Sequence, residues 1–291
     1  MKLHIIKGPA LSGKSNYLAR EMEQAHRENP LSYTFLGPTG EFVKEFSEWF
    51  SRRLNSSISR SNFMVIDQFA DELYSQSHPE MLYADKHLLR VFIANILGSA
   101  TQKELGPFYP LKDSLGLIGF VAEAVIEAKD DGEASLIARL ANDQARSIVQ
   151  FALREIEVGF GSNLYDTFDA YLKINAEEIR DYVALRFSKS LFLDGFTNLS
   201  WAQMIFLSKI IPLFQEAFMT LDPISVDKDS WAKFLELLAT KSVEVLEEEL
   251  ASSAKETLPL HRLLVDQGPP ARLEGDFIRI ACLKDPEEEL I

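Results

Sequence analysis

Gly8-x-x-x-x-Gly13-Lys14-Ser15 is the stretch of this chain best suited to chemistry. Pro9, Ala10, Leu11 and Ser12 fill the variable positions, and a short apolar run, residues 3–6, comes directly before them. A strand, a loop with glycines at these two positions and a following helix make a phosphate-binding loop, or P-loop. Its backbone N–H groups point inward at an anion, and glycine allows the dihedrals that such curvature needs. In that arrangement residues 8–15 cradle the phosphates of a nucleotide. Lys14 reaches the β- and γ-phosphates, and the Ser15 hydroxyl ligates Mg²⁺. A helix expected over residues 15–25 offers its N-terminal dipole to the same anion. The competing reading is a glycine-rich turn with a solvated lysine, which the placement between an apolar run and a helix disfavours.

A P-loop needs a carboxylate for its Mg²⁺, usually at the end of a neighbouring strand. Two segments supply one, Leu191-Phe192-Leu193-Asp194-Gly195 and Met64-Val65-Ile66-Asp67. Asp194 is the favoured metal ligand, because its run resumes the core after a long helical stretch and Gly195 lets the chain turn tightly beside phosphates. Asp67 reads more simply as the N-cap of the helix that Gln68-Phe69-Ala70 begins. A cap or turn is also the plain alternative for Asp194. Hydrolysis needs more, namely a group that orients water and a further cation such as an arginine. Motor ATPases usually place Glu directly after the metal-binding Asp, but here that residue is Gly195. Gln203 is within reach in sequence, and no catalytic residue is assigned.

The elements that position these groups follow from hydrophobic patterning. Residues 3–6, 33–36, 63–66, 191–193, 217–221 and 277–282 form short apolar runs that predict strands. Amphipathic stretches such as 41–54 and 68–76 lie between most of them. Buried strands alternating with helices imply a parallel sheet covered on both faces. The long interval between residues 66 and 191 reads as helical over 86–100, 114–129, 133–157 and 176–188. An inserted all-helical domain explains it better than a loop. The expected organisation is an α/β core in two parts, residues 1–76 and 189–291, around a helical insert at 77–188. Phe92, Phe120, Phe151 and Phe160 of the insert are expected in its core. The acidic runs 129–133 and 247–249 are expected to be solvated turn and helix surface.

The 291 residues, 46% hydrophobic and 25% charged, describe a globular chain, and the formal net charge of −14 argues against strong non-specific binding to nucleic acid by this chain alone. Lys44, Arg52, Arg53 and Arg60 form a comparatively basic stretch within it. The single cysteine, Cys282, has no partner for an internal disulfide, which fits a reducing cytoplasm. The N-terminus enters a strand at once, leaving no room for a signal peptide, and no apolar run approaches the roughly 18 residues of a membrane helix. Asp285-Pro286-Glu287-Glu288-Glu289 is a strong helix start about one turn before Ile291, from which a continuation of the polypeptide is expected.

Taken together, these residues resemble the N-terminal helicase-like portion of the AddB family, the B subunit of bacterial helicase–nucleases that process double-strand breaks. The resemblance rests on the P-loop at residues 8–15 and on Tyr33-Thr34-Phe35-Leu36-Gly37-Pro38-Thr39. It rests also on Phe63-Met64-Val65-Ile66-Asp67-Gln68-Phe69-Ala70 and, most tellingly, on Leu193-Asp194-Gly195-Phe196-Thr197-Asn198-Leu199-Ser200-Trp201-Ala202-Gln203. Ile278-Arg279-Ile280-Ala281 and residues 285–289 are similar to the end of the family's first helicase domain. The resemblance implies a P-loop NTPase fold, with a RecA-like parallel sheet core and an inserted helical domain. It implies ATP and Mg²⁺ as ligands, with DNA and a helicase–nuclease subunit as partners. Asp-Gly in place of Asp-Glu implies a degenerate helicase that binds nucleotide and hydrolyses it poorly, and Thr39 and Gln68 would face single-stranded DNA. The family's second helicase domain and nuclease domain have no counterpart in these residues.

Two other functions fit the same residues. A small-molecule P-loop kinase would need a compact arginine-bearing lid, whereas Arg139, Arg146 and Arg154 are widely spaced. A scaffold with a vestigial P-loop would have no need of an intact Gly13-Lys14-Ser15.

Overall fold

The computed structural model describes residues 1–9, 12–140, 142–160, 163–186, 189–222 and 228–250. The chain begins with β1 (Lys2–Lys7), α1 (Lys14–Glu28), β2 (Tyr33–Gly37), α2 (Gly40–Leu54), β3 (Phe63–Val65) and α3 (Ile66–Ser77). A mainly helical stretch follows, with β4 (Leu82–Tyr83), α4 (Lys86–Ser99), α5 (Gln102–Leu105), α6 (Leu115–Asp131), α7 (Glu133–Arg139) and α8 (Asp143–Phe160). It continues through β5 (Leu164–Tyr165), α9 (Thr167–Lys173) and α10 (Ala176–Arg186). The chain then returns to the main sheet with β6 (Ser190–Leu193), α11 (Trp201–Ile210), β7 (Glu216–Leu221), α12 (Lys228–Thr240) and β8 (Glu244–Glu249).

Six strands form one sheet in the order β3-β2-β6-β7-β1-β8, and every pairing in it is parallel. The two faces have separate apolar clusters. Ile6, Phe35, Phe192 and Phe218 pack with Leu18 and Met22 of α1 and with Phe46 and Phe50 of α2. Leu3, Ile5, Leu191, Leu193, Ala217 and Met219 pack on the other side with Phe69 of α3, Phe206 of α11 and Phe234 of α12. The chain thus moves along the sheet in one direction through α1 and α2, then back through α3, α11 and α12. That reversal is matched by a change of face, as right-handed crossovers require. The helices after β1 and β7 leave for opposite faces although these strands are neighbours. A crevice between them at the carboxyl ends is the place where such sheets bind ligands.

The predicted strands at residues 3–6, 33–36, 63–66, 191–193 and 217–221 coincide with β1, β2, β3, β6 and β7; the sixth, at 277–282, lies outside the described residues. One strand of this sheet was not anticipated. The acidic run 247–249, expected on a turn or helix surface, belongs to β8 (Glu244–Glu249), which pairs with β1 and is the end strand of the sheet among the described residues. Its side chains are mostly exposed, so it has no apolar pattern to read, and charges along an edge oppose further strand addition. Lys7 Nζ meets Glu247 at 2.7 Å across this pair.

The helical stretch has its own apolar cluster, built by α4, α5, α6 and α8 around Ile93, Leu97, Val121, Val125, Ile148 and Ala152. Residues of α9 and α10, among them Tyr171, Ile179 and Val183, instead share the cluster of the main sheet. The single helix expected over 133–157 is two, α7 and α8. Asn142 breaks it, its Oδ1 accepting from Gln144 N at 2.8 Å as a cap does. Phe151 is buried and Phe92 partly so, but Phe120 is 42% exposed, which corrects its assignment to the core. The side chain of Phe160 lies outside the described residues.

Lys129 also departs from the expectation of a solvated charge run. Its ammonium group donates to Asp166 at 2.6 Å and Asp169 at 3.0 Å, tying the end of α6 to the start of α9. Both carboxylates are buried, and each accepts a backbone N–H of the other residue in a capping box. Asp169 has Lys173 as a second cation at 2.9 Å. Burial pushes Asp169 up, but the two ammonium groups outweigh it and hold its pKa below the ordinary value. Asp166, with Lys129 as its only lysine partner among these, is pushed up by burial.

Candidate nucleotide site

The loop after β1 is anchored at both ends. Gly8 N donates to Leu221 O of β7 at 3.1 Å, and Ser12 N donates to Pro9 O at 3.2 Å. Gly13 has φ +87°, a left-handed conformation that favours glycine, and from it the chain enters α1. Gly8 is required for a different reason. A Cβ there would collide with Ser12 Oγ and stand 3.0 Å from Leu250 O. Ala10 and Leu11, both predicted to line the site, lie outside the described residues. Ser15 is exposed on the first turn of α1.

Lys14, the first residue of α1, turns into the loop. Its Nζ donates to Gly8 O and to Pro9 O, the latter at 2.7 Å. Burial pushes its pKa below the ordinary value, while the negative charges of Asp222 and Asp194 act to raise it. The ammonium group therefore stands within the field of two carboxylates at the carboxyl ends of β7 and β6.

Asp194 follows β6 directly, and its N–H donates to Leu36 O at 3.2 Å. It is 3% exposed. Oδ1 accepts the Thr220 hydroxyl of β7, whereas Oδ2 is buried without a hydrogen-bond partner. Ser12 Oγ in the loop is also buried and unpartnered. Leaving such an atom unsatisfied costs about 1–3 kcal/mol, more for a charged group, so these two atoms mark the places a ligand or metal would complete. The donor chemistry fits the groups the loop suggests, an ammonium and backbone amides for phosphate and carboxylate plus hydroxyl oxygens for Mg²⁺.

Asp67 stands elsewhere. It lies inside α3, whose N-cap is Val65, so it is not the cap expected of it. Its Oδ1 accepts the hydroxyl of Tyr171 from α9, whose pKa is raised by burial and by that carboxylate. In the strand order β3 is four places from β1 and β6 is two. At about 4.8 Å per strand these steps correspond to about 19 Å and 10 Å across the sheet. Gln203 is likewise occupied, closing a capping box with Ser200 at the start of α11, where each side chain accepts the other residue's N–H. It is a structural cap in this site's second strand-to-helix connection.

Gly195 adopts φ +83°, and a Cβ on it would approach Cζ of the Phe42 ring to 2.5 Å. The tight turn expected of it is present, closed over by an aromatic ring. Gly195→Ala is expected to destabilise the fold by about 2–3 kcal/mol, combining left-handed strain with a clash against Phe42. Chemical denaturation of the wild type, Gly195→Ala and Gly195→Ala with Phe42→Ala checks this. The double variant should regain only the clash component relative to Phe42→Ala.

Two residues at the site were not anticipated, Thr220 and Asp222. Both lie at the carboxyl end of β7, whose place between β1 and β6 is a fact of topology. An acid directly after a buried apolar run was the available signal, the same one used for Asp194.

Away from this crevice, a groove of about 760 Å³ runs along α2 to the edge strand β3. Lys44, Arg52 and Arg60 line it together with Gly40 and Gln68. Arg53, the fourth basic residue of that stretch, donates instead to Glu23 and to Asn16 Oδ1 and lies over the Trp49 ring. Thr39 is the N-cap of α2, its Oγ1 accepting from Phe42 N at 3.2 Å. No described helix is long and apolar enough to cross a membrane. No protein-family model matches the chain, and no curated protein matches it.

Proposed function

We propose that this chain is a nucleotide-binding, helicase-like module of P-loop type that takes ATP with Mg²⁺ and turns it over slowly or not at all. The observation that carries the reading is the meeting of three features at one end of the sheet. A glycine-bent loop leads into α1, Lys14 begins that helix, and Asp194 presents a buried carboxylate oxygen with no partner. Residues 8–15 would hold the phosphates through backbone amides and the Lys14 ammonium. Ser15 and Asp194 would hold the metal, whose charge offsets that of the phosphates when bound. Gly195 and its Phe42 cover leave no carboxylate directly after Asp194, and the cap role of Gln203 withdraws the other group considered for orienting water. Both support weak turnover.

The parallel sheet with a helical insertion supports the RecA-like form of that fold, and the resemblance to the AddB family supplies the setting. There the module would act on DNA within a two-subunit helicase–nuclease. The groove lined by Lys44, Arg52, Arg60 and Gln68 supports a phosphodiester ligand, since these three cations outnumber its one carboxylate, Glu48, on a chain of net charge −14.

Calorimetric titration of ATP into the wild type and Asp194→Asn, with and without Mg²⁺, tests the site. Asparagine keeps an oxygen for the Thr220 hydroxyl while removing the charge. Affinity is expected to fall at least tenfold when Mg²⁺ is present and not to fall in its absence. Equal losses under both conditions would remove Asp194 from the metal's coordination. Wild-type protein that binds no ATP in either would end the nucleotide reading.

A further inference from the structure

The groove beside α2 runs the height of the sheet. α2 begins with Gly40, after the carboxyl end of β2, and ends at Leu54. Since β3 is parallel to β2, the chain is back at the amino end by the 3-10 turn Arg60–Asn62 that precedes β3. Gln68 lies in the first turn of α3, at the carboxyl end again. The groove of about 760 Å³ between these elements therefore leads from Gly40 and Gln68 down to Arg52 and Arg60. At 1.5 Å of rise per residue, the α2 wall from residue 40 to residue 52 is about 18 Å long.

Its charges are placed along that length. Lys44 and Arg52 stand about two turns apart on the face of α2 that lines the groove, and Arg60 lines it from the turn before β3. All three are exposed. The ion pairs among the described residues include none of them, whereas Arg53, outside the groove, is held by Glu23. Glu48 is the one carboxylate of the lining, and Arg52 Nε donates to its backbone carbonyl at 3.1 Å. The neutral lining is aliphatic and hydroxyl in character, as in Val43, Ile58, Ser47 and Ser51. Phe63 is the one aromatic residue of the lining, and it is buried in the apolar cluster, so no ring stands open for a base to stack on.

A ligand that satisfies this groove is long, anionic at intervals and thin enough to lie between a helix and a strand. The phosphates of a duplex follow a curved path on a rigid cylinder and leave a straight groove after a short contact. A single strand bends to follow it. We propose that the groove carries a single strand of nucleic acid down the α2–β3 side of the sheet, with Lys44, Arg52 and Arg60 each holding a phosphate. The inference rests on the phosphodiester reading of this groove given above and deepens it by naming the form of the ligand and its route. Three phosphate contacts to a single strand give a slope of about −2 in a plot of log affinity against log salt concentration.

The experiment is fluorescence anisotropy of a labelled strand of about twelve thymidines with the full chain, over a series of salt concentrations. The groove variant combines Lys44→Gln, Arg52→Gln and Arg60→Gln. A control variant combines Arg27→Gln, Lys86→Gln and Lys103→Gln, three exposed cations outside the groove, and so has the same net charge. Thermal melts of each confirm folding. The groove variant is expected to bind at least about tenfold more weakly at low salt, with a slope shallower by about 2, and the control to follow the wild type. Equal losses in the two variants would assign the effect to net charge and overturn the proposal. A matching duplex bound as tightly as the single strand overturns it too, while leaving the phosphodiester reading in place. Polyglutamate that displaces the labelled strand as well as unlabelled thymidine strand does would make the groove a site for an acidic polypeptide. A wild type that binds no strand at low salt removes both the proposal and the phosphodiester reading. Titration of ATP with Mg²⁺ into the same proteins judges the nucleotide site separately, and the groove variant should bind it as the wild type does.

Discussion

Replacing Lys14 by alanine is expected to weaken binding of ATP with Mg²⁺ by about a hundredfold. A charge-assisted hydrogen bond contributes about 1.5–3 kcal/mol, and 1.4 kcal/mol is a factor of ten in affinity. The ammonium is half-buried, so less of its attraction for phosphate is lost to solvent than at an open surface. The same group donates to Gly8 O and Pro9 O, and phosphate oxygens would have to replace these two carbonyl acceptors. That exchange limits the loss to about a hundredfold, below the larger factor that several phosphate contacts would give. Titration calorimetry on the wild type and Lys14→Ala checks it. Affinities within threefold of one another would show that Lys14 serves only to close its own loop.

Lys129→Met is expected to cost about 3–5 kcal/mol of stability, the largest effect of a single substitution foreseen for the fold. Removing one partner of a buried ion pair leaves the other charges without compensation, and methionine fills the space of the lysine stem without supplying a cation. Asp166 and Asp169 would then face each other with Lys173 as the remaining lysine beside them. The deficit depends on pH, and its sign follows from proton binding. Losing Lys129 raises the carboxyl pKa values of the folded state, so the folded variant binds more protons than its unfolded chain near those values. Stability of the variant relative to the wild type therefore rises as pH falls from neutrality towards the ordinary carboxylate range of about 4. Urea denaturation at several pH values reads this directly. A deficit independent of pH would assign the loss to packing of the stem.

The strands that form the middle of the sheet were legible because burial on both faces leaves them continuously apolar, as in Phe35-Leu36 and Leu191-Phe192-Leu193. Where one of these conditions failed, the pattern failed too. β8 carries Glu244, Glu247, Glu248 and Glu249 because it lies at an edge with its side chains towards solvent. The two-residue strands β4 and β5, Leu82–Tyr83 and Leu164–Tyr165, are too short to show any period. At the site, glycine spacing revealed the loop, since Gly8 and Gly13 are required by close approach and by φ. Asp222 was hidden for another reason. An acid followed by proline after an apolar run is also ordinary turn chemistry, and only strand order shows that this run ends beside the loop. Lys129 was misread because a lysine among acids at a helix end has no local sign that its partners are 37 and 40 residues away.

The packing of Phe42 over Gly195 also restricts how this site could change over generations. An Asp-Glu pair would require a side chain at residue 195, and that side chain has to displace a ring wedged between β2's exit and β6's. A glutamate introduced first disrupts the fold before it can add turnover, so the order of substitutions matters. Phe42 has to become small before residue 195 can accept anything else, and the loss of its stacking on Phe35 and Phe46 opposes that first step. The two positions are thus mutationally locked, and single-step screens for gain of hydrolysis at residue 195 will return only unstable variants.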